Sequence, residues 1–418
     1  MEPLSCSWAS PAVCMAQMSL PVWRWMSMRL RYAHDRCECS RTYRAAPMLD
    51  LAPLLLGDID LSDADALWTD CGAAALTGRR SGPPLPGPAA VGPSMRSLAL
   101  RLRELSTRLG FEVIVDGPAL LAERARITGH GRQGTVSCGG ACRLLRALDG
   151  WVAVSLARDE DRSCVPAWLE IDVDVADALA VDTAVSAAAW ATTTAVLVER
   201  AALLGIPCGA LGEVREAQVP ANRLGTAEPL RSLDGLVVVD LSSLWAGPLC
   251  GRLLRAAGAR VIKVESSTRP DGARNGPRRF FDLMNAGKES VVLDLAAREG
   301  QARLAQLVDG ADVVIEGSRP RALQQMGIDA GLFRGRVWLS ITAYGRSQPM
   351  RVGFGDDTAV AGGLVAHDEA GPVFAADAAA DPISGLLGAV AVLNRLASGD
   401  RWLVDLSLAH AAALMTRG

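Results

Sequence analysis

Two lysines are the residues of this chain whose type and placement most directly indicate chemistry. Lys263 and Lys288 are its only lysines among 43 basic residues, and every other basic residue is an arginine. A lysine ammonium is a compact, strongly hydrated point charge, unlike the planar guanidinium of arginine. We therefore expect the two ammonium groups to bind a phosphate-rich ligand. Chance retention of two lysines in an arginine-biased sequence is the competing explanation.

A second candidate for ligand binding is the run Leu244–Pro248, which reads Leu-Trp-Ala-Gly-Pro. Its small residues stand where a helix is expected to begin, so backbone amides there could face an anion. The run contains neither a Gly-x-Gly-x-x-Gly pattern nor a Walker lysine pattern. A generic dinucleotide- or nucleotide-binding site is therefore not indicated.

From Leu233 onward, strands alternate with helices that could position these residues. Strand-like apolar runs cover 236–241, 260–264, 312–316 and 337–341, and helix-like segments cover 246–257, 297–308 and 320–326. This alternation predicts the α/β class, with a Rossmann-like parallel sheet that carries helices on both faces. Ligands of such sheets bind at the carboxyl ends of the strands. Those ends are Ser242–Trp245, Glu265–Ser267, Glu316–Arg319 and Thr342–Tyr344.

The region upstream of Leu233 follows a different pattern. The spacing predicts helices over 96–110 and 118–126, strands over 111–115 and 151–156, and an Ala-rich helical region over 174–204. We divide the chain into residues 1–47, 48–230 and 231–418. Residues 1–47 hold four Cys, three Trp and six Arg without an apolar period. We expect this first stretch to be disordered, or to precede a true start at Met48.

Composition argues against several classes of protein. The chain has 418 residues, half of them hydrophobic, so it can form two or three globular domains. Its net charge of −3, without a basic stripe, argues against a nucleic-acid partner. No apolar run reaches the length that spans a bilayer, and we expect a cytoplasmic protein with no membrane partner. The ten cysteines are scattered, which predicts buried, reduced thiols and no metal site.

The second half of the chain carries a series of motifs in a fixed order. They are Leu233–Leu241, Ala246–Pro248, Gly258–Glu265, Asn285–Val291, Leu293–Leu295, Ala311–Pro320, Ile341–Gly345 and Val404–Leu408. In this order they resemble the type III CoA-transferase (CaiB/BaiF) family, which includes formyl-CoA and carnitine CoA-transferases and the related 2-methylacyl-CoA racemases. The resemblance extends over about 180 residues.

The resemblance implies a Rossmann-like fold with a smaller α+β part, which binds coenzyme A as a substrate and holds no permanent cofactor. By position, the residues that line the CoA site would be Leu244, Trp245, Lys263, Asn285, Lys288 and Arg319. Cationic donors are the best match for the phosphate oxygens of CoA. The open alternative is that Lys263 and Arg319 merely pair with Glu265 and Glu316 at the surface. Subunits of this family interlock in pairs, so a homodimer is expected.

The resemblance also implies a nucleophile. Transferases of the family use an aspartate that forms mixed anhydrides and then a CoA thioester. The segment Ala380–Leu386 is similar to the family's Asp-x-x-x-Gly-Leu pattern, which implies that Asp381 is this residue. Asp377 lacks that spacing, and we expect it to be a solvated loop residue. An Asp ahead of a helix is also a common N-cap, which is the alternative for Asp381.

The implied activity is transfer of CoA between an acyl-CoA and a carboxylic acid, and two other functions stay open. The racemase branch uses a His-Asp pair after a Gly, and the corresponding Gly355–Asp357 has Asp356 in place of His. A carboxylate lacks the near-neutral pKa of imidazole, which disfavours racemisation. The third possibility is a non-catalytic CoA-binding protein. Asp149–Val154 and Glu199–Gly209 are similar to elements of the family's C-terminal half, so the order of the halves looks permuted.

Overall fold

The structure is a computed structural model that describes residues 49–56, 59–215, 217–317 and 320–416. Within these ranges eight strands form one large sheet. They are β1 Leu49–Asp50, β5 Pro220–Gly225, β6 Val237–Asp240, β7 Arg260–Ser266, β8 Glu289–Leu293, β9 Val313–Glu316, β10 Val337–Thr342 and β13 Arg401–Ser407. The prediction for residues 1–47 lies outside the described residues.

The order of strands in the large sheet is β1-β5-β13-β10-β9-β6-β7-β8. The six strands from β13 to β8 pair in parallel. At the other edge, β5 is antiparallel to both β13 and β1. The parallel sheet predicted from the alternation of strands and helices is confirmed.

Helices cover both faces of this sheet. In the described ranges the α-helices are α1 Ala52–Leu56, α2 Ala64–Asp70, α3 Val91–Arg108, α4 Glu123–Thr128, α5 Asp159–Ser163, α6 Val165–Leu169, α7 Ala178–Trp190, α8 Thr194–Leu204, α9 Ala246–Ala256, α10 Arg278–Asn285, α11 Arg298–Asp309, α12 Pro320–Gln325, α13 Gly355–Ala361, α14 Ala380–Ser398 and α15 Leu408–Met415. Alternate strand residues point to opposite faces. Val238 therefore joins a core with α9, α14 and α3, whereas Val239 joins a core with α11 and α12.

A smaller α+β part has a sheet of its own. Its strands are β2 Cys142–Arg146, β3 Trp151–Ser155 and β4 Cys208–Ala210, which pair antiparallel. Helices α6 to α8 pack their apolar faces on this sheet around Trp168. The Ala-rich region predicted as one helix is thus two, separated at Ala191–Thr193. A hairpin of β11 Val365–Asp368 and β12 Gly371–Phe374 completes the strands.

The strand predicted over 111–115 is wrong, because this segment is held by the end of helix α3 instead. The Phe111 amide donates to the Ser106 carbonyl at 3.1 Å, and the Val113 amide donates to the Ser106 hydroxyl at 3.0 Å. Phe111 and Ile114 are exposed, Val113 is buried in the core, and the half-buried Val115 packs against that core. An apolar run with one buried residue has no reason to join a sheet.

The described part of the chain from residue 49 to residue 416 belongs to one compact unit. Strands β1 and β5 come from upstream of residue 231 and extend the sheet that the later residues form. The division into 48–230 and 231–418 stays a prediction. Among the described helices, none combines the length and the apolar character needed to cross a membrane.

Candidate functional site

The predicted nucleophile lies at the beginning of helix α14. Asp381 is the second residue of this helix, and its amide donates to the Ala378 carbonyl at 2.9 Å. Its carboxylate accepts a hydrogen bond from the backbone of Gly355, the first residue of α13. A Cβ atom at position 355 would lie 2.4 Å from Asp381 Oδ2, so only glycine leaves room for the carboxylate there. In the first turn, the helix dipole of α14 favours the negative charge.

The glycine of the Asp-x-x-x-Gly-Leu pattern brings this helix close to the strand end that was expected to bind CoA. A Cβ at Gly385 would lie 2.8 Å from the Ala246 carbonyl oxygen and 2.9 Å from Leu249 Cβ. Both of these residues belong to α9, which follows directly after β6. Asp381, one turn before Gly385, is therefore placed beside the Trp245–Ala246 step.

Two further aspartates surround Asp381, and we call Asp356, Asp377, Asp381 and Arg124 the carboxylate cluster. Asp356 Oδ1 accepts from the Ala378 amide at 3.1 Å, so it bridges to the segment ahead of α14. Asp377 is fully buried and forms a bidentate ion pair with Arg124. The expectation that Asp377 is a solvated loop residue is wrong.

Burial and mutual repulsion dominate the electrostatics of this cluster. Burial raises the pKa of Asp381 to about 7, Arg124 opposes the rise, and Asp356 and Asp377 add to it. Burial likewise raises the pKa of Asp356 to about 6, against the effect of Arg124. The neighbouring Asp357 accepts from the Ser155 hydroxyl at 3.0 Å, and burial raises its pKa to about 8. Several carboxyl groups here therefore titrate near neutral pH.

Arg124, on helix α4, connects this cluster to the end of β6. Its Nε donates to Asp377 Oδ2 at 3.0 Å and its Nη2 donates to Oδ1. The guanidinium carbon lies 5.0 Å from the centroid of the Trp245 ring. Trp245 is buried and packs edge-to-face on Phe280, with 5.2 Å between ring centroids. A single arginine thus contacts both Trp245, the residue before α9, and Asp377, three residues before α14.

Lys263, on strand β7, is buried beneath the β6–α9 turn. Its Nζ lies 2.8 Å from Asp271 Oδ2 and donates to the Ser242 carbonyl at 2.8 Å. Asp271 Oδ1 in turn accepts from the Leu244 amide at 2.9 Å. Leu244 has φ +70°, a left-handed conformation that is costly for a leucine. The ion pair therefore holds this turn in a conformation it would not adopt alone.

Lys288 is equally enclosed. Its Nζ donates to Asp240 Oδ2 at 2.8 Å, to the Pro248 carbonyl at 2.9 Å and to Asn285 Oδ1 at 3.1 Å. Its side chain is 1% exposed, and that of Lys263 is 2% exposed. An ammonium group has three donors, and those of Lys288 are all engaged. We call Lys263, Asp271, Lys288 and Asp240 the lysine cluster.

The alternative pairing of Lys263 with Glu265 at the surface is not what the structure shows. Glu265 pairs with Arg274 at 2.7 Å, and Glu316 pairs with Arg346 at 3.1 Å. Lys263 pairs instead with Asp271, in the interior. Arg319 lies outside the described residues.

An exposed arginine pair, which the sequence reasoning missed, borders a cavity next to the lysine cluster. Arg274, Arg278, Phe281 and Asp282 line a cavity of about 350 Å³. The Arg274 guanidinium carbon lies 4.1 Å from the Phe281 ring centroid. Arg278 is 91% exposed, so its charge is accessible to a ligand. In the sequence, the run rich in Arg, Gly and Pro that follows β7 could have indicated these arginines.

With this geometry established, the comparisons with known proteins can be assessed. Residues 233–418 match the model of CoA-transferase family III. This segment belongs to that family. The family recognised in the sequence is therefore confirmed, and the matched segment contains every residue of the two clusters except Arg124. The similarity of residues 48–230 to the family's C-terminal half, and with it the permuted order, stays a prediction.

Individual relatives of the family III segment are CoA-transferases by name. Succinyl-CoA–D-citramalate CoA-transferase of Chloroflexus aurantiacus is 30% identical over 205 residues, which are 44% of this chain and 51% of that protein. Succinate–glutarate CoA-transferase of Agrobacterium fabrum is 30% identical over 202 residues, which are 42% and 50%. A CaiB/BaiF family protein from Brucella suis has a solved structure that matches at TM-score 0.41 and 30% identity, covering 43% of this chain and 54% of that one. The chain thus spans about half the length of the curated relatives it matches.

Proposed function

We propose that this protein transfers coenzyme A between an acyl-CoA and a carboxylic acid, with Asp381 as the nucleophile. The observation that carries the proposal is the placement of the Asp381 carboxylate. It lies in the first turn of α14, against Gly355, beside the carboxyl end of β6. The names of the relatives support CoA transfer in general terms.

The proposed reaction needs only acyl exchange at Asp381. The carboxylate forms a C–O bond to the thioester carbonyl carbon, the C–S bond breaks, and CoA leaves as the thiolate. The thiolate then attacks Cγ of the mixed anhydride and releases the first carboxylate, which leaves an aspartyl-CoA thioester. The acceptor carboxylate repeats the two exchanges in reverse order and regenerates Asp381. Covalent catalysis of this kind divides one difficult transfer into easier steps.

Coenzyme A is proposed to lie along the carboxyl ends of β6 and β7. Arg274 and Arg278 offer guanidinium groups to the phosphates, and Phe281 offers an aromatic face. The pantetheine arm would then pass Leu244, which is 37% exposed, on its way to Asp381.

The remaining predicted CoA residues are proposed to act mostly indirectly. The two lysines and Asn285 position the turn rather than contact phosphate, because their polar atoms are already bonded within the protein. Trp245 is buried and would form the floor of the site. Arg319 stays a proposed phosphate ligand. A cytoplasmic homodimer without a permanent cofactor also stays a proposal.

Racemisation of a 2-methylacyl-CoA is a second candidate, favoured by one observation. Burial raises the pKa of Asp356 to about 6 and that of Asp381 to about 7. In the sequence, Asp356 in place of His disfavours racemisation because a free carboxylate lacks the near-neutral pKa of imidazole. In this environment both carboxyl groups approach the range that suits general acid–base catalysis.

Chemical trapping at Asp381 tests the proposed function. The protein is incubated with succinyl-CoA, quenched with hydroxylamine, and the peptide that contains Asp381 is analysed by mass spectrometry. A γ-hydroxamate at Asp381 is expected in the wild type and in Asp172→Asn, an exposed control, and not in Asp381→Asn. CoA binding without any hydroxamate would overturn transfer. Exchange of the α-proton of a 2-methylacyl-CoA in heavy water would then separate a racemase from an inert binder.

A further inference from the structure

The carboxylate cluster contains one residue that does not come from the family III segment. Arg124 lies in helix α4, 253 positions before its partner Asp377. The matched family region begins at residue 233, so nothing in that match assigns a role to Arg124. The upstream part of the chain nevertheless supplies a cation whose charge acts on the proposed nucleophile.

The geometry gives Arg124 a fixed place. Two of its nitrogens bond to both oxygens of Asp377, which is fully buried, and its guanidinium lies over the Trp245 ring. A bidentate pair fixes orientation as well as distance. The Arg124 side chain itself is 25% exposed, so the guanidinium stands between the interior and the site.

The charge balance around Asp381 makes this placement consequential. Asp356, on α13, and Asp377, ahead of α14, both repel a negative charge on Asp381, and Arg124 is the cation that opposes them. The Cys138 thiol faces Asp377 and Asp356, and burial raises its pKa, so it stays neutral. Asp357, next to Asp356, is protonated for the most part at neutral pH because burial raises its pKa to about 8.

We propose that Arg124 is a positioning residue that, through its ion pair with Asp377 and its contact with Trp245, sets the charge around Asp381 and fixes the segment ahead of α14 on which the proposed nucleophile is mounted. The part of this inference that treats Asp381 as a nucleophile rests on the proposed function. Its physical content is independent of catalysis, since it concerns the charge of one buried carboxyl group. The upstream region thereby completes a site whose nucleophile belongs to the family III segment.

The test measures the ionisation of Asp381 without any assay of activity. Linkage makes the unfolding free energy depend on pH wherever the folded and unfolded states bind different numbers of protons. The difference in unfolding free energy between a protein and its Asp381→Asn version, followed from pH 4 to pH 9, therefore reports the titration midpoint of Asp381 in the folded state.

Opposite shifts of this midpoint are expected from the two partners of the ion pair. Arg124→Gln removes an opposing charge and should raise the midpoint by about 1 to 3 pH units. Asp377→Asn removes a like charge and should lower it. A general loosening of the site would move both variants in the same direction. Arg124→Lys, which keeps the charge, should stay nearer the wild type than Arg124→Gln.

A second pair of variants protects the test against misfolding, because Arg124→Gln leaves a buried carboxylate unpaired. Asp377→Asn is compared with the double variant Asp377→Asn/Arg124→Gln, and the double variant should have the higher midpoint. Arg126→Gln is the matched control, since Arg126 lies on the same helix and bonds to main-chain carbonyls. It should leave the midpoint unchanged. The proposal would be overturned if Asp377→Asn and Asp377→Asn/Arg124→Gln had the same titration midpoint.

The rate of hydroxamate formation at Asp381 provides the catalytic readout. Its dependence on pH should shift with the midpoint, upward in Arg124→Gln and downward in Asp377→Asn. If the wild type forms no hydroxamate, the proposed function fails while the midpoint still decides the role of Arg124. If hydroxamate forms but the midpoints do not move, the transferase survives and the assignment of Arg124 is lost.

Discussion

The lysine cluster and the carboxylate cluster lie at the same edge of the sheet but treat buried charge in opposite ways. In the lysine cluster each ammonium has its own carboxylate, Asp271 for Lys263 and Asp240 for Lys288, and main-chain carbonyls bind both cations as well. In the carboxylate cluster three aspartates share one arginine. The first region is electrically balanced, and the second carries a surplus of negative charge.

This difference separates a framework from a reactive site. Coulombic attraction to Lys288 and Lys263 opposes burial and keeps the pKa of Asp240 below its usual value, so that carboxylate is always charged. Burial and repulsion raise the pKa of Asp381 to about 7, which gives a carboxyl group of unusual basicity. Perturbed groups of this kind concentrate at functional sites. The lysines that first suggested function therefore belong to the balanced framework, and the aspartates are the groups with perturbed pKa values.

The largest expected effect comes from removing the nucleophile. Asp381→Asn should lower kcat for CoA transfer by about 10⁴-fold or more, as for other essential catalytic groups. Because asparagine cannot ionise, the same variant should unfold at a higher temperature than the wild type above pH 7. Steady-state kinetics measures the loss of kcat, and thermal unfolding measures the change in stability. Residual transfer within tenfold of the wild type would refute the assignment of Asp381.

Breaking the lysine cluster should give the opposite pattern, with loss of stability as the primary effect. Lys288→Met leaves Asp240 fully buried without its cation, which should cost about 3–5 kcal/mol in urea denaturation. The double variant Lys288→Met/Asp240→Asn should recover much of this loss. Arg298→Met, at an exposed position, is the control and should cost little.

The binding of CoA to these variants sharpens the comparison. If Lys288 only positions the turn, the double variant should bind CoA with nearly the wild-type Kd in calorimetry. A large rise in Kd at recovered stability would show that the ammonium itself contacts the coenzyme, as the sequence first suggested.

Much of the family III segment could be predicted from local sequence, for a physical reason. Buried parallel strands are continuous apolar runs, so β6, β7, β9 and β10 were found within two residues at either end. The pattern that singles out Asp381 includes Gly385, whose missing side chain admits Ala246 and Leu249 of the neighbouring helix. A packing constraint of this kind is visible as a local sequence pattern.

Ion pairs between residues that are far apart in the sequence produce no such local pattern. Arg124 looked like any arginine of an amphipathic helix, because its partner lies 253 positions away. The enclosure of Lys263 depends on a turn that brings Asp271 back under the strand, and spacing alone does not predict this turn. A lysine at a strand end is therefore an ambiguous sign until its carboxylate partner is known.

The pH dependence of activity and of stability should run in opposite directions. With the proposed carboxylate nucleophile, kcat/KM should rise by up to tenfold per pH unit below about pH 7 and then level off, following the pKa of Asp381. Burial raises the pKa of Asp381 on folding, above the ordinary value of an aspartate. Its contribution to stability is therefore fully present below about pH 4 and is lost as pH rises through 7. Asp356 and Asp357 add to this loss, with raised pKa values of about 6 and 8.

Thermal unfolding of the wild type and Asp381→Asn from pH 4 to pH 9 tests the predicted pH dependence of stability. The two curves should diverge as pH increases, with the variant the more stable. The opposite result would be a wild type that becomes more stable than the variant as pH increases. Asp381 would then be stabilised in its charged form, like Asp240, and the two clusters would no longer differ.

The smallest effect is expected from the exposed arginines beside the lysine cluster. Arg278→Gln removes an accessible charge from the cavity that Phe281 also lines, and it should raise the KM for acyl-CoA about 5- to 10-fold with little change in kcat, as for loss of one charge-assisted phosphate contact. The effect should shrink at high ionic strength because the contact is exposed. Arg298→Gln is the matched control. An unchanged KM in Arg278→Gln would place the phosphates elsewhere, and Arg319 would then be the next residue to replace.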